Sequence, residues 1–244
     1  KMLKLVMPMA GMGSRFEEAG YTDCKPMIDV NGIPMFVHAE RCIGLGFDER
    51  IFIVRKEQQL KESILEWYPD AIVHELDGLT EGTACTILSI QEYLSPYDSI
   101  FVSNCDQHTE WEDIETVRSA VFDKTVDGLI SVFSCPERDP KWSYAEIDGA
   151  LNFDTASITR VAEKDPISQW ATTGWYYWRR WGVFKESAEA MIAANDRVNN
   201  EFYTCPVFNY SIRTNKRIIP MAVSNMIGLG TPEELESYLQ DTKT

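Results

Sequence analysis

The chain is poor in the residue types from which many catalytic centres are built. Among its 244 residues are only three histidines, His38, His74 and His108, at separations that match no metal-ligand spacing, and His108 reads as a loop residue. Six cysteines, Cys24, Cys42, Cys85, Cys105, Cys135 and Cys205, form no C-x-x-C pair. At this length and spacing they suggest no disulfide framework, and all six read as reduced thiols, mostly small core residues. No Ser/His/Asp or Cys/His arrangement is discernible, which argues against covalent catalysis of those types. Neither a signal peptide nor a long apolar run is present, so a cytoplasmic protein without a membrane partner is expected. Positive charge is also scarce. Lys and Arg number 23 against 38 Asp and Glu, a net charge of −15, which argues against nucleic acid or an anionic membrane surface as the main partner. Any phosphate-binding site here must be a local basic pocket in an acidic protein.

What is present suits a well-packed globular chain, with 44% hydrophobic and 11% aromatic residues. Through the first half, apolar runs at 3–8, 50–55, 71–76, 99–103 and 128–134 alternate with helix-like stretches at 34–45, 56–67, 82–94 and 110–122. Strands separated by helices of this length indicate βαβ units, an α/β fold and a mainly parallel sheet. The second half carries shorter, more polar strand candidates at 143–147, 158–162 and 173–178, which read as an antiparallel excursion at the sheet edge. Helices are expected at 182–195, 200–213 and 232–240, the last capped by Thr231 with Pro232 in its first turn. Aromatics around 170–181 are a candidate homodimer surface. No repeat or interdomain linker interrupts the chain.

The most informative stretch is 3–26, LKLVMPMAGMGSRFEEAGYTDCKP. An apolar strand feeds the loop Met9-Ala10-Gly11-Met12-Gly13-Ser14, which ends in Arg15, and Lys25-Pro26 follows. Glycines let backbone N–H groups approach an anion closely, and two cations flanking a short excursion can grip different phosphates. A dinucleotide fingerprint does not fit, because Phe16 stands where its third glycine belongs, and no Gly-Lys-Ser/Thr follows as in a Walker loop. Open parallel sheets bind ligands beyond the carboxyl ends of their strands. Both the glycine loop and Asp106, after the strand candidate at 99–103, fall on that edge.

The combination G-x-G-x-R and K-P resembles the signature of the sugar-phosphate nucleotidyltransferases, and the likeness continues along the chain. It implies a Rossmann-like three-layer fold with a mixed, mainly parallel sheet, related to that of GT-A glycosyltransferases. A single domain over 1–244 would hold the nucleotide in its 1–135 half and the acceptor in its 136–244 half. Residues 9–15 and Lys25 would then grip the triphosphate, with Arg15 on pyrophosphate and Lys25 on the α-phosphate. Gly82-Thr83-Ala84 would pack on the base, and Asp106 would hold Mg²⁺. Glu163-Lys164 matches a family pair whose lysine binds the acceptor phosphate. Trp142, Tyr144, Glu146, Trp175, Tyr176 and Tyr203 are further candidates for that acceptor pocket. Many members place a second metal-binding Asp two residues before a Gly-Thr dipeptide, where this chain has Gly228.

The implied reaction is nucleotidyl transfer from an NTP to a small phosphorylated acceptor, with pyrophosphate released. The opening Met-Pro-Met-Ala-Gly-Met-Gly-Ser-Arg-Phe and the Gly-x-Gly-Thr-Pro ending look most like a capsule and surface-polysaccharide subgroup that includes compact cytidylyltransferases. CTP is therefore the expected donor, with UTP, GTP and dTTP as alternatives. A sugar phosphate, phosphocholine or an amino-acid phosphate such as glutamine phosphate is the expected acceptor. A nucleotide-sugar-dependent glycosyltransferase is the nearest rival, and Asn104 in place of the first Asp of an Asp-x-Asp motif speaks against it.

Overall fold

The apolar run after Met2 becomes the strand on which the rest is organised. A computed structural model describes residues 2–243. The first half runs β1 (Leu3–Pro8), α1 (Ser14–Glu18), β2 (Asp29–Val30), β3 (Ile33–Pro34), α2 (Met35–Ile43), β4 (Glu49–Arg55), α3 (Lys61–Trp67), β5 (Ile72–Leu76), α4 (Thr83–Leu88), β6 (Ser99–Val102), β7 (Gln107–Trp111), α5 (Ile114–Phe122) and β8 (Gly128–Ser134). The second half adds β9 (Ser143–Asp148), β10 (Ser157–Glu163), β11 (Trp170–Trp178), α6 (Trp181–Ala193), α7 (Val207–Arg213), β12 (Ile218–Gly228) and α8 (Pro232–Asp241).

The main sheet has the order β5-β4-β1-β6-β11-β8-β12-β7, with β9 and β10 branching from β11. Strands β5, β4, β1 and β6 are parallel neighbours. Strand β11 then runs antiparallel between β6 and β8, β12 is parallel to β8, and β7 closes the edge antiparallel to β12. The antiparallel excursion expected in the second half is the β9–β10 pair together with its junction to β11.

Alternation along β1 shows how the layers form. Leu5 and Met7 face a core built with α2, α3 and α5, while Val6 faces one built with α4, α6 and α7. Burial on both faces explains why these strands are nearly continuous apolar runs. The chain leaves β1 toward β4 on one side and returns from β5 to β6 on the other. The crevice beyond the carboxyl ends of β1 and β6 is therefore a topological switch point, the usual place for a ligand in such sheets.

Several boundaries differ from the sequence reading for identifiable reasons. The helix expected at 110–122 begins at Ile114, capped by the Asp113 side chain, because residues 107–111 pair with β12 as β7. Residues 200–206 are not helical; α7 starts after Pro206, whose ring removes a donor and restricts the residue before it. Strand β12 was not anticipated, since Pro220 breaks an otherwise strand-like run. At 82–94 the long helix is the shorter α4 followed by a 3₁₀ turn at 91–93. The end of the chain agrees, with Thr231 Oγ1 accepting from Glu234 N at 3.2 Å.

The aromatics proposed as a dimer surface are mostly interior. Trp175, Tyr176, Tyr177 and Trp178 are all buried within this chain, because β11 is a central strand with neighbours on both sides, and Trp181 at the start of α6 is buried against Phe184. Among the described residues no helix is long and apolar enough to cross a membrane.

Candidate active site

The glycine loop leaves β1 with its carbonyls pinned from behind. Arg55, buried at the end of β4, donates from Nε to Ala10 O at 2.7 Å and from Nη2 to Gly11 O at 3.3 Å. Gln58 Nε2 donates to Met9 O at 3.1 Å, and Gln58 Oε1 accepts from Arg55 N at 2.7 Å. Holding three successive carbonyls on one side fixes the loop's path, a condition for backbone N–H groups to converge on an anion. Gly13 caps α1 in the left-handed region at φ 62°, and a Cβ there would sit 3.3 Å from Lys25 Cβ. The glycine thus lets the Lys25 segment lie against the loop. Arg15 occupies the first turn of α1, exposed, with no ion-pair partner among the described residues.

Lys25 reaches across the crevice to Asp106, with Nζ 3.0 Å from Oδ2, in a pair each about one-quarter exposed. Burial works against the Lys25 charge, but the Asp106 carboxylate outweighs it and holds the ammonium above its ordinary range. Asp106 is braced from beneath, since its carbonyl accepts from Leu229 N at 2.8 Å. Two glycines of β12 and its exit matter here. A Cβ at Gly230 would stand 3.0 Å from Asp106 Oδ2, so the glycine keeps that face of the carboxylate open. At Gly228 a Cβ would fall 2.2 Å from Glu234 Oε2, so the Glu234 carboxylate occupies the space next to the position at which the resemblance implies a second metal-binding Asp.

A cavity of about 300 Å³ lies between these groups, lined by Met9, Ala10, Gly11 and Lys25 on one wall and by Leu79, Thr80, Gly82, Thr83 and Thr86 on the other, with Asp106 and Glu201 at its borders. Gly82 adopts φ 136°, and a Cβ would strike Phe202 O at 2.5 Å. This close approach lets Ala84 N donate to Phe202 O at 3.0 Å and Phe202 N donate to Glu81 O at 2.9 Å, tying the turn to the 201–203 segment. Thr80 Oγ1 completes the turn by donating to Gly82 O at 2.9 Å. Ala84 itself is buried and its N–H is consumed, so of the three residues expected against the base only Gly82 and Thr83 face the cavity.

A second cavity of about 290 Å³ adjoins the first, and Thr83 and Asn104 line both. Its wall is rich in hydroxyls: Ser143, Thr172, Thr173, Tyr176 and Thr204. Thr204 Oγ1 is buried with no partner among the described residues. Asn104 enters because Gly174, at φ 89°, leaves room; a Cβ there would lie 2.1 Å from Asn104 Nδ2. Glu163 also faces this cavity, and burial pushes its carboxyl up to about 7 despite the neighbouring Lys164. Lys164, at φ 57°, directs its ammonium over the Tyr203 ring, 5.4 Å from the centroid.

A sequence model described as nucleotidyl transferase matches residues 5–217, which include the loop, Lys25, Asp106 and both cavities. The chain belongs to the nucleotidyl transferase family. A solved nucleoside-diphosphate-sugar pyrophosphorylase from Vibrio cholerae RC9 superposes with a TM-score of 0.80 at 26% identity, over 97% of this chain and 99% of that one. The same fold is seen in the inositol-1-phosphate CTP transferase of T. maritima, with TM-score 0.72 and 13% identity over 100% and 98% of the two chains. It recurs in a putative glucose-1-phosphate thymidylyltransferase from Bacillus anthracis solved with sucrose, with TM-score 0.75 and 16% identity over 99% and 97%. No curated protein matches the chain.

In this nucleotidyl transferase most of the residues singled out from sequence fall around three hollows. Met9, Ala10, Gly11, Lys25, Gly82, Thr83 and Asp106 converge on the first cavity; Met12 and Gly13 line a neighbouring hollow with Lys25, Arg55 and Gln58. Glu163 and Tyr203 line the second cavity, beside Lys164. Tyr144, Glu146 and Trp175 do not join them. Tyr144 is buried and donates to Asp139 O at 2.7 Å; Trp175 is buried with Nε1 donating to Ser103 Oγ; Glu146 lies exposed on β9, paired with Arg160. The error is one of phase. Trp142 and Tyr176 of the same candidate set do line the cavity, as does Ser143, and strands buried on both faces show no alternation from which to read which side is which. Arg55, Gln58 and Asn104 were missed. Arg55 and Gln58 act on the remote backbone carbonyls of Met9, Ala10 and Gly11, and Asn104 meets the cavity across from Gly174, so no local signal announces them.

Proposed function

We propose that this nucleotidyl transferase is a cytidylyltransferase that moves CMP from CTP to a small phosphorylated acceptor and releases pyrophosphate. The observation that carries the reading is the Lys25–Asp106 pair at the floor of a cleft whose first cavity opens between the glycine loop and the Gly82 turn, with a hydroxyl-lined second cavity alongside. Two substrates placed in adjoining cavities with a common wall at Asn104 would present acceptor phosphate to α-phosphate. The hydroxyl lining favours a polyhydroxylated acceptor, so a sugar phosphate is the proposed class. CTP rests on the likeness of residues 7–16 to compact cytidylyltransferases, and the product would supply surface-polysaccharide assembly.

The chemistry needs no protein base. A phosphate monoester has a second pKa near ~6 and is largely ionised at neutral pH. The protein's task is to bring two anions together and hold them in line. Lys25 would stabilise charge on the α-phosphate, while loop N–H groups and Arg15 would receive pyrophosphate. Lys164, with Tyr203 beneath its ammonium, would hold the acceptor phosphate. Mg²⁺ suits the Asp106 position: the donor is a carboxylate oxygen, and Gly230 leaves its face clear where a side chain would crowd it. Asp106 would hold the ion, which would supply charge neutralisation to the triphosphate beside Lys25. The deciding experiment measures pyrophosphate release with CTP, UTP, GTP and dTTP against sugar phosphates, phosphocholine and glutamine phosphate. Release with CTP and a sugar phosphate supports the proposal; product formation from a nucleotide sugar without pyrophosphate would replace it with glycosyl transfer.

A further inference from the structure

Three elements far apart in sequence bring the scarce histidines together. His38 and Cys42 are one helical turn apart on α2, so both project from the same face. His108 comes from β7, which packs beneath that face. His38 Nε2 lies 2.9 Å from His108 Nδ1, and Cys42 Sγ lies 3.6 Å from the same nitrogen. The ligand atoms of all three are mutually within 4.8 Å, and each residue is partly buried. Tyr238 of α8 covers the group, its ring centroid 5.7 Å from His38 and 5.2 Å from His108. The separations read from sequence concealed this cluster, because the sheet and not the spacing assembles it.

We propose that His38, Cys42 and His108 bind a zinc-class divalent cation at a site separate from Asp106. Zn–N bonds of about 2.0–2.1 Å and a Zn–S bond of about 2.3 Å place tetrahedral ligand atoms roughly 3.4 Å apart for N and N and roughly 3.6 Å apart for N and S. The Cys42–His108 separation of 3.6 Å already matches, and the two imidazoles need to part by only a few tenths of an ångström from 2.9 Å. The outer shell suits the role as well. Glu110 Oε2 lies 3.6 Å from His108 Nε2, the nitrogen turned away from the cluster. A carboxylate on that side favours the proton on Nε2 and leaves the Nδ1 lone pair for the metal, the usual arrangement around a ligating histidine. Three protein ligands leave a fourth position for water. Uptake would displace the Cys42 proton to solvent, giving a thiolate that partly neutralises the ion. Such a clip would join α2 to β7, two residues after Asp106, and so steady the strand that follows the catalytic loop.

The test titrates chelator-treated full-length protein with Co²⁺ alone and follows the thiolate-to-cobalt charge-transfer absorption, which an all-oxygen site at Asp106 cannot produce. The expected result is a band that saturates at one equivalent, persists in Asp106→Asn and disappears in Cys42→Ser. His38→Gln should weaken binding by at least roughly tenfold, since even outer-shell losses cost that much. Absence of the band in the unmodified protein overturns the proposal without recourse to any variant. So does a band that survives Cys42→Ser, or an affinity unchanged by His38→Gln.

Discussion

Replacing Gly82 by alanine tests whether the turn that separates β5 from α4 is held against the 201–203 segment as described. Gly82 has φ 136° and ψ 171°, a region open almost only to glycine, and a non-glycine residue forced there costs about 1–3 kcal/mol. The added Cβ would also fall 2.5 Å from Phe202 O, 2.6 Å from Phe202 N and 2.9 Å from Phe202 C. These are backbone atoms fixed by hydrogen bonds to Ala84 N and Glu81 O, so they cannot swing aside as a side chain would. Overpacking of that kind adds about 1–3 kcal/mol. The sum, roughly 2–6 kcal/mol, is a large part of the ~5–15 kcal/mol by which a protein is usually stable. Urea denaturation should show a lower midpoint at unchanged slope. Gly78→Ala is the control, because nothing lies within 4 Å of its would-be Cβ, and it should stay within about 0.5 kcal/mol of the parent. Gly82→Ala as stable as that control would refute the close approach. The same variant should lose nucleotide binding, since Glu201 lines the cavity from the displaced segment.

Other consequences are equally measurable. Lys25→Ala and Asp106→Ala should each lower kcat by roughly 10²–10³ with far-UV circular dichroism unchanged, the loss typical of a missing electrostatic group; parent-like turnover in both would sink the assignment of the cleft. Arg55→Met should raise KM for the nucleotide more than it lowers kcat, and cost about 1.5–3 kcal/mol of stability, because Ala10 and Gly11 carbonyls lose a charged donor. Glu163 has its carboxyl raised by burial to about 7 from an ordinary 4.5, so the folded state holds a proton there that the unfolded state releases. Its contribution is therefore fully present below about 4.5 and is lost as pH rises through about 7. Glu163→Gln should flatten the fall in Tm across that window, and an unaltered profile would show that the carboxyl is not buried as described.

The sequence was most legible where one local signal sufficed. Strand–helix alternation in the first half reflects burial of both sheet faces, and Thr231-Pro232 marked the start of α8 because capping is a contact between near neighbours. The glycine loop and Lys25 were readable for the same reason, lying within one excursion of the chain. Legibility failed where partners are remote. Strand β12 carries Pro220 and owes its state to pairing with β8 and β7, and no local propensity announces that. Trp175 and Tyr144 turn into the core and not toward the cavity, because a doubly buried strand hides its phase.

Sequence alone determined that Gly11, Gly13, Arg15 and Lys25 lie on one short excursion after an apolar strand, in a chain where 38 acidic residues outnumber 23 basic ones. That local chemistry suits the proposed grip on phosphate, the part all nucleoside triphosphates share. Tertiary structure decided what stands opposite. It brought Asp106 to 3.0 Å from Lys25, set Arg55 behind the loop, placed Glu234 beside Gly228, and gathered His38, Cys42 and His108. Each of these depends on strand order and on glycines that admit close approach, and such proximities arise only when the sheet forms.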